Sequence, residues 1–135
     1  MEPTAEQLAD EWLRLDGDPQ SRSEIQNLLE RKDLLELEKR LRKRIGFGTA
    51  GLRGVMQAGF SAMNSLTVVQ TSQGLAEYLL ATQQNVRSRG VVIGRDARHH
   101  SEDFARLSAS VFAAKDIRVW WFEDVAHTPL VPFGV

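Results

Sequence analysis

The sequence predicts an α/β fold with a largely parallel sheet, preceded by a polar helical arm. Two observations carry this prediction. Apolar residues recur at helical spacing in several segments, and after residue 45 these segments alternate with short apolar runs typical of strands. The resulting order of extended segment, helix, strand, helix and strand is the order of a layered α/β structure. The length of 135 residues suits one domain with a hydrophobic core.

Residues 1–44 are predicted to form the helical arm. Leu8, Trp12 and Leu15 follow the spacing of one apolar helix face, and the turn residues 16–19 interrupt that pattern. Two further helices are predicted from caps and from the apolar residues that follow them. Ser21 and Glu24 are predicted to form a capping box, which is followed by the apolar residues Ile25, Leu28 and Leu29. Asp33 is predicted to cap the next helix, which has Leu34, Leu37 and Leu41 on one face.

Residues 45–135 are predicted to form the domain, which is expected to be truncated. Its predicted elements are a glycine-rich loop or short extended segment from Gly46 to Gly59, a helix from Asn64 or Ser65 to about Leu80, a buried parallel strand Val91–Ile93, a helix capped by Ser101 with Phe104, Leu107, Val111 and Ala114 inward, and a strand Ile117–Phe122. Thr128 and Pro129 resemble an N-cap and the first residue of a helix, and residues 130–135 complete the chain.

The composition excludes several classes of protein. A formal net charge of −1 provides no long-range field for nucleic acid or an anionic membrane, so neither is an expected partner. The chain has no cysteine, which excludes disulfides and thiolate metal sites. No apolar run of signal type follows Met1, and no segment reaches the ~18 apolar residues of a spanning helix. A cytoplasmic protein is therefore expected, and no feature indicates an oligomeric state.

The glycine-rich segment Gly46–Gly54 is the first candidate site. It holds four glycines in nine residues, so its backbone offers close approach to an anion without obstruction by Cβ atoms. Arg53 lies among these glycines and provides a planar fork of donors that suits a phosphate. The alternative interpretation is a loop that only reverses the chain.

A dinucleotide site does not fit this segment, although residues 46–51 match G-x-G-x-x-G. That fingerprint needs a strand before it, a helix after it and an acidic residue about 20 positions on. Here the charged, helix-like run 39–44 precedes it, and no acidic residue occurs between Glu38 and Glu77. A nucleoside triphosphate loop is also excluded, because no Lys-Ser or Lys-Thr pair follows the glycines.

Arg95 and Arg98 form the second candidate site, directly after the predicted strand 91–93. Ligands of open α/β sheets gather at the carboxyl ends of strands, so two guanidinium groups there suit an anion. The alternative is a surface ion pair with Asp96 that contributes little energy. Both interpretations stay open on the sequence alone.

The remaining polar and aromatic residues are interpreted as structural, and not as catalytic or ligand-binding residues. The basic run 39–44 follows several acidic residues and lacks interleaved aromatics, which favours a solvated helix face over nucleic-acid binding. His99 and His100 are adjacent, so a helix would not direct both imidazoles to one metal, and no metal site is predicted. Trp12, Trp120 and Trp121 are interpreted as packing residues. No catalytic nucleophile or base is evident.

The motif Phe47–Arg53 resembles the opening motif of the α-D-phosphohexomutase superfamily, in particular its phosphoglucomutase/phosphopentomutase branch. The likeness spans nearly the whole chain. It extends to the arm at Trp12–Asp16, Pro19 and Glu24–Ile25, and to the segments Met63–Thr71, Gln73–Gly74, Arg95–Arg98 and Thr128–Phe133. Several motifs in the correct order make this resemblance more specific than the glycine loop alone.

The resemblance implies the first of four domains, a three-layer α/β/α sandwich, and an intramolecular phosphotransferase. Family members carry a phosphoserine that phosphorylates a sugar monophosphate, and the resulting bisphosphate returns its other phosphate to the serine. By this likeness Arg53 would lie beside the phosphoserine as the catalytic group, and Thr49 and Gly51 would shape the phosphate-binding loop. Arg95 and Arg98 would support the wall of the active site.

The resemblance also implies what this chain lacks. Family members place their Ser-His-Asn loop shortly beyond the segment matching residues 128–135, and their magnesium and sugar-binding loops lie later still. These residues are therefore expected to be an inactive fragment of a mutase that interconverts sugar 1-phosphates with 5- or 6-phosphates, using Mg²⁺ and an activator of the glucose 1,6-bisphosphate type. The alternatives are a non-catalytic module that binds a phosphosugar or a partner, and a fragment of a glucose 1,6-bisphosphate synthase.

Overall fold

The computed structural model describes residues 1–49, 51–127 and 129–135, except for the side chain of Phe133. These residues form two compact units, Met1–Thr67 and Val68–Val135. Each unit has its own cluster of buried apolar side chains. The expected separation of an arm (1–44) from a domain (45–135) stays a prediction.

The first unit begins with three helices, α1 (Ala5–Leu15), α2 (Pro19–Glu30) and α3 (Leu34–Leu41), which confirms the predicted helical segments. Thr4 caps α1 by a reciprocal capping box with Gln7, and Asp33 caps α3 as predicted. The capping box at Ser21 is wrong. Asp18 caps α2 instead, and Pro19 occupies its first turn, where a missing N–H costs nothing.

The core of the first unit centres on Trp12, whose side chain is 0% exposed. Its ring meets that of Phe60 edge to face, with centroids 5.0 Å apart. Leu15 and Leu34, predicted to share the buried faces, are exposed. They lie at the last residue of α1 and the first residue of α3. The other main core residues of this unit are Leu8, Ile25, Leu28, Leu37 and Leu41.

A short antiparallel hairpin follows, made of β1 (Phe47–Gly48) and β2 (Gly51–Leu52). Phe47 pairs with Leu52, and Gly48 pairs with Gly51. Helix α4 (Ser65–Thr82) starts where predicted. The side chain of Asn64 accepts a hydrogen bond from the Thr67 amide, and the Thr67 hydroxyl accepts one from the Asn64 amide. This reciprocal cap identifies Asn64 as the N-cap.

The second unit places two parallel strands among helices. After α4 come α5 (Val86–Arg89), β3 (Val91–Ile93), α6 (Ser101–Ala114), β4 (Val119–Trp121) and α7 (Leu130–Phe133). Strands β3 and β4 are parallel, with Val91 opposite Val119 and Ile93 opposite Trp121. The predicted α/β class is confirmed. The largely parallel sheet is represented among the described residues by this one pair, while β1 and β2 are antiparallel.

Three details of the second unit differ from the expectation. Strand β3 is only half-buried, because a pair of strands leaves part of each face uncovered. Ser101 is the first residue of α6 and not its cap, a position taken by His100 with φ +65°. Ala105 and Phe112 are the buried residues of α6. Of the residues predicted to face inward, Phe104, Leu107 and Val111 are half-buried and Ala114 is exposed.

Thr128, predicted to cap the last helix, lies outside the described residues, and α7 begins at Leu130 after Pro129. Across the described ranges, every helix is too short or too polar to cross a membrane.

Candidate functional site

The first candidate site is a shallow cavity of about 420 Å³ beside the β1–β2 hairpin. Its volume lies in the range of small-molecule sites. Three glycines give it a wall of bare backbone, and three side chains complete the lining. The lining residues are Gly46, Phe47, Gly48, Thr49, Gly51 and Arg53. The hairpin thus brings together Thr49, Gly51 and Arg53, the three residues that the sequence singled out in this unit.

Gly51 is required by the backbone conformation of the hairpin. Its φ of +84° lies in the region that residues with a Cβ rarely adopt. A Cβ placed there would meet no atom within 4 Å, so the constraint is conformational and not one of space. The open surroundings leave its backbone accessible from the cavity.

Arg53 supplies the positive charge of this cavity. Its side chain is exposed, and within the described part of the chain it has no hydrogen-bond or ion-pair partner. An unpaired guanidinium offers five donors in a rigid fork, which matches two oxygens of a phosphate. Arg53 and the exposed residue Thr49 both line the cavity, and both carry groups that can donate hydrogen bonds to an anion.

Both ends of the hairpin segment are tied to the chain that follows it. The Ile45 amide donates to the Phe60 carbonyl at 2.7 Å, and the Met63 amide donates to the Val55 carbonyl at 2.8 Å. The guanidinium of Arg44 also lies over the Phe60 ring, 4.8 Å from its centroid. Residues 55–63 therefore hold both ends of the hairpin segment, and we call this supporting segment the base of the hairpin.

This base is in turn held by the helices of the same unit, a connection that the sequence analysis missed. A carboxylate oxygen of Glu24, on α2, accepts from the Ala58 amide at 3.0 Å and from Arg40 at 3.1 Å. Arg40 also donates to Glu36 at 2.8 Å. Glu24 was interpreted as half of a capping box, and no local signal marks a partner 34 residues away.

The basic run 39–44 is largely matched by acidic neighbours. Arg40 is paired with Glu24 and Glu36, and Arg42 is paired with Glu38. The hydrogen bond from Arg42 lowers the pKa of the Glu38 carboxyl below its ordinary value. Together with a Lys39–Glu36 pair at 3.8 Å, these contacts involve three of the five basic side chains of the run.

The second candidate site lies after β3 in the other unit, and its two arginines differ. Arg95 is 17% exposed, its Nε is buried without a partner among the described residues, and a terminal nitrogen lies 3.8 Å from Glu102. Arg98 is 85% exposed and donates to Asp96 at 2.6 Å. The surface ion pair considered for this segment is thus present at Arg98. An anion held by both arginines stays a prediction.

Asp96 makes the stability of this loop depend on pH. The Arg98 amide donates to its carboxylate, and this hydrogen bond, helped by the Arg98 side chain, lowers the Asp96 pKa below 3.8. A lowered pKa in the folded state gives a stabilisation that is complete above the unfolded value and is lost as pH falls through the folded value. We expect Asp96→Asn to lower the free energy of unfolding slightly at pH 7, with the difference from wild type shrinking as pH falls through the lowered Asp96 pKa.

Urea titrations at several pH values measure this difference. Asp10→Asn, which changes an exposed carboxylate on α1, is the control. A destabilisation by Asp96→Asn that stays constant from pH 7 to pH 2 would contradict the assignment.

A metal ion finds no ready ligand set here. Within residues 1–49, 51–127 and 129–135, no three or more His, Asp or Glu side chains cluster closely enough to hold one. The His99 and His100 rings lie 3.9 Å apart by their centroids, and His100 also stacks on Phe104. No residue of this chain is therefore assigned as a metal ligand.

Comparison with known proteins places the chain in a family. Residues 44–135 match the family described as phosphoglucomutase/phosphomannomutase, alpha/beta/alpha domain I. The chain belongs to this phosphoglucomutase/phosphomannomutase family. The match covers the hairpin with Arg53 and the Arg95–Arg98 segment, so both candidate sites lie within the family domain. The predicted resemblance is confirmed.

Relatives with assigned names agree with this family. The chain is 50% identical to a probable phosphoribomutase of Schizosaccharomyces pombe over its whole length, which is 23% of that protein. It is 46% identical over 92% of its length to the phosphoribomutase of Saccharomyces cerevisiae, of which it spans 20%. The glucose 1,6-bisphosphate synthase of Mus musculus is 41% identical over 99% of the chain and 22% of that protein. No solved structure matches the chain significantly.

Proposed function

We propose that this chain supplies the phosphate-binding wall of a phosphosugar mutase of the phosphopentomutase/phosphoglucomutase type. The observation that supports the proposal is the unpartnered Arg53 in a cavity of glycine backbone among the described residues, in a chain of this family. The chain spans about a fifth of the curated relatives that it matches. The reaction is therefore proposed for the whole protein, and the wall for these residues.

In the proposed reaction, a phosphoserine passes its phosphoryl group to a sugar monophosphate. The bond between phosphorus and the serine oxygen breaks, a bond to a sugar hydroxyl oxygen forms, and overall the hydroxyl proton passes to the serine oxygen, which restores the serine hydroxyl. The bisphosphate then returns its other phosphoryl group to the serine. Arg53 would stabilise the charge on the transferring oxygens, as positioned cations do in phosphoryl transfer. Thr49 and Gly51 would shape the loop, and Arg95 and Arg98 would support the wall.

The donor serine and the metal ligands are assigned to no residue of this chain. The 135 residues contain no Ser-His-Asn sequence, and the described residues hold no metal cluster. Mg²⁺, a phosphosugar substrate, an activator of the glucose 1,6-bisphosphate type and a cytoplasmic location are proposals for the whole protein. Of the sugars, a pentose phosphate is favoured, since two relatives of 50% and 46% identity are named phosphoribomutases.

A second candidate is a bisphosphate synthase, supported by the similar identity to the mouse glucose 1,6-bisphosphate synthase. Such an enzyme releases a sugar bisphosphate, whereas a mutase releases an isomerised monophosphate. A third is a module that binds phosphosugars without turnover. The nature of the released product separates the three.

The purified 135-residue chain should bind ribose 1-phosphate saturably and show no mutase turnover, because it carries a phosphate wall without an assigned phosphoryl donor. Isothermal titration measures the binding, and a coupled assay for ribose 5-phosphate measures the turnover. Ribose without phosphate is the control and should not bind. An absence of binding would overturn the proposed wall, and turnover would show that the donor lies within these residues.

A further inference from the structure

We propose that Glu24 is a positioning residue for the Arg53 cavity, although it lies on α2 and does not line that cavity. It would act through Ala58, which belongs to the base beneath the hairpin. The consequence for phosphate binding rests on the proposed function. The consequence for the order of the hairpin does not.

The contacts of Glu24 join three separate segments. One carboxylate oxygen accepts two hydrogen bonds, one from the Ala58 amide and one from the Arg40 guanidinium. Arg40 also lies 3.5 Å from the Ala58 carbonyl. The Ala58 residue is thus held from its amide side by Glu24 and from its carbonyl side by Arg40. Ala58 itself is fully buried, so little space is left for it to shift.

Ala58 lies on the segment that is hydrogen-bonded to both ends of the hairpin segment. Ala58 lies between Val55 and Phe60, the two residues whose carbonyls accept from Met63 and Ile45. Gly59 packs against the Arg40 backbone, and the Ser61 amide donates to the Arg40 carbonyl at 3.0 Å. Release of Ala58 would loosen the base on both sides. The hairpin termini at residues 45 and 55 would then be less well determined.

The charges at this point restrict the geometry of the segment. The Glu24 side chain is 37% exposed and that of Arg40 is 17% exposed, so solvent screens only part of their attraction. A single carboxylate oxygen that holds a peptide amide and a guanidinium restricts the direction of both.

The experiment compares three variants of the full 135-residue chain: Glu24→Ala, Glu24→Gln and the control Glu38→Gln. Glu38 pairs with Arg42 on the segment that also carries Arg40, and its pair does not contact the base. In Glu24→Gln the side-chain amide oxygen would still accept from Ala58, which makes it the conservative variant. Titration with ribose 1-phosphate gives the affinity, and amide order parameters of residues 47–54 report the hairpin without ligand. Urea titration verifies that each variant is folded.

We expect Glu24→Ala to weaken the binding of ribose 1-phosphate by about threefold to tenfold, as for residues coupled to a site from outside it. The order parameters of the hairpin should fall. Glu24→Gln should recover most of both losses, and Glu38→Gln should match wild type. If Glu24→Ala does not fold, Glu24→Gln is compared with Glu38→Gln. A smaller loss of affinity and of hairpin order is then expected for Glu24→Gln, and no loss for Glu38→Gln.

Two results would overturn the inference. The first is a hairpin order in Glu24→Ala, or in Glu24→Gln if Glu24→Ala does not fold, that equals the order in Glu38→Gln. The second is an equal loss in every variant that folds. A wild-type chain that does not bind ribose 1-phosphate would contradict the proposed function instead. In that case the order parameters still decide the role of Glu24.

Discussion

Replacement of Arg53 by glutamine should lower the affinity of the chain for ribose 1-phosphate by about tenfold to a hundredfold. Arg53 is the charged group of the hairpin cavity, and it has no competing partner among the described residues. Hydrogen bonds to charged groups contribute about 1.5–3 kcal/mol each, which corresponds to this change in affinity. Arg53→Lys should recover only part of the loss, because an ammonium lacks the planar fork. Isothermal titration measures both variants.

Arg14→Gln is the matched control, since Arg14 is an arginine at the end of α1 and does not line the hairpin cavity. It should leave the affinity within about twofold of wild type. If Arg53→Gln and Arg14→Gln weakened binding equally, the effect would come from net charge, and the assignment of Arg53 would be wrong.

Replacement of Gly59 by alanine should destabilise the chain by about 2–5 kcal/mol. Gly59 has φ +133°, and a Cβ there would lie 2.7 Å from the Arg40 carbonyl oxygen and 2.9 Å from the Arg40 Cβ. Neither the backbone conformation nor the space admits a methyl group. The strain falls on the base that carries the hairpin, so phosphate binding should weaken as well. Urea titration gives the change in the free energy of unfolding.

Gly74→Ala is the opposite case for the same chemical change. Gly74 lies inside α4, and a Cβ there would meet no atom within 4 Å. Alanine should stabilise the chain by about 0.5–1 kcal/mol through its higher helix propensity. Equal effects of the two substitutions would contradict the packing of Gly59 against Arg40.

Local signals predicted the helices well, because their causes lie within a few residues. Asp33 and Asn64 cap α3 and α4 as expected, and each satisfies an amide three residues later. The same kind of reasoning was wrong at Ser21 and Glu24. Asp18 together with Pro19 is the stronger start signal, and it leaves the carboxylate of Glu24 available for a distant partner.

The candidate site was likewise predictable only in part from the sequence. The motif around Arg53 could be recognised from residue types alone, since glycines and an arginine in one short segment meet the needs of a phosphate. The base of the hairpin, residues 55–63, could not be recognised in this way. The sequence also did not predict that Arg95 and Arg98 differ in exposure. In the structure Arg95 is largely buried, whereas Arg98 is exposed and pairs with Asp96.

The sequence by itself determined the three N-terminal helices, the glycine-rich segment, the α/β class and the family, because caps, apolar spacing and glycine motifs act over short stretches of chain. Only the tertiary structure decided which carboxylate holds Ala58, why residue 59 must be glycine, and which face of α6 is buried. These features depend on atoms that are distant in sequence and meet through packing. Residue periodicity and spacing do not predict such contacts, because the packing of the whole core determines them.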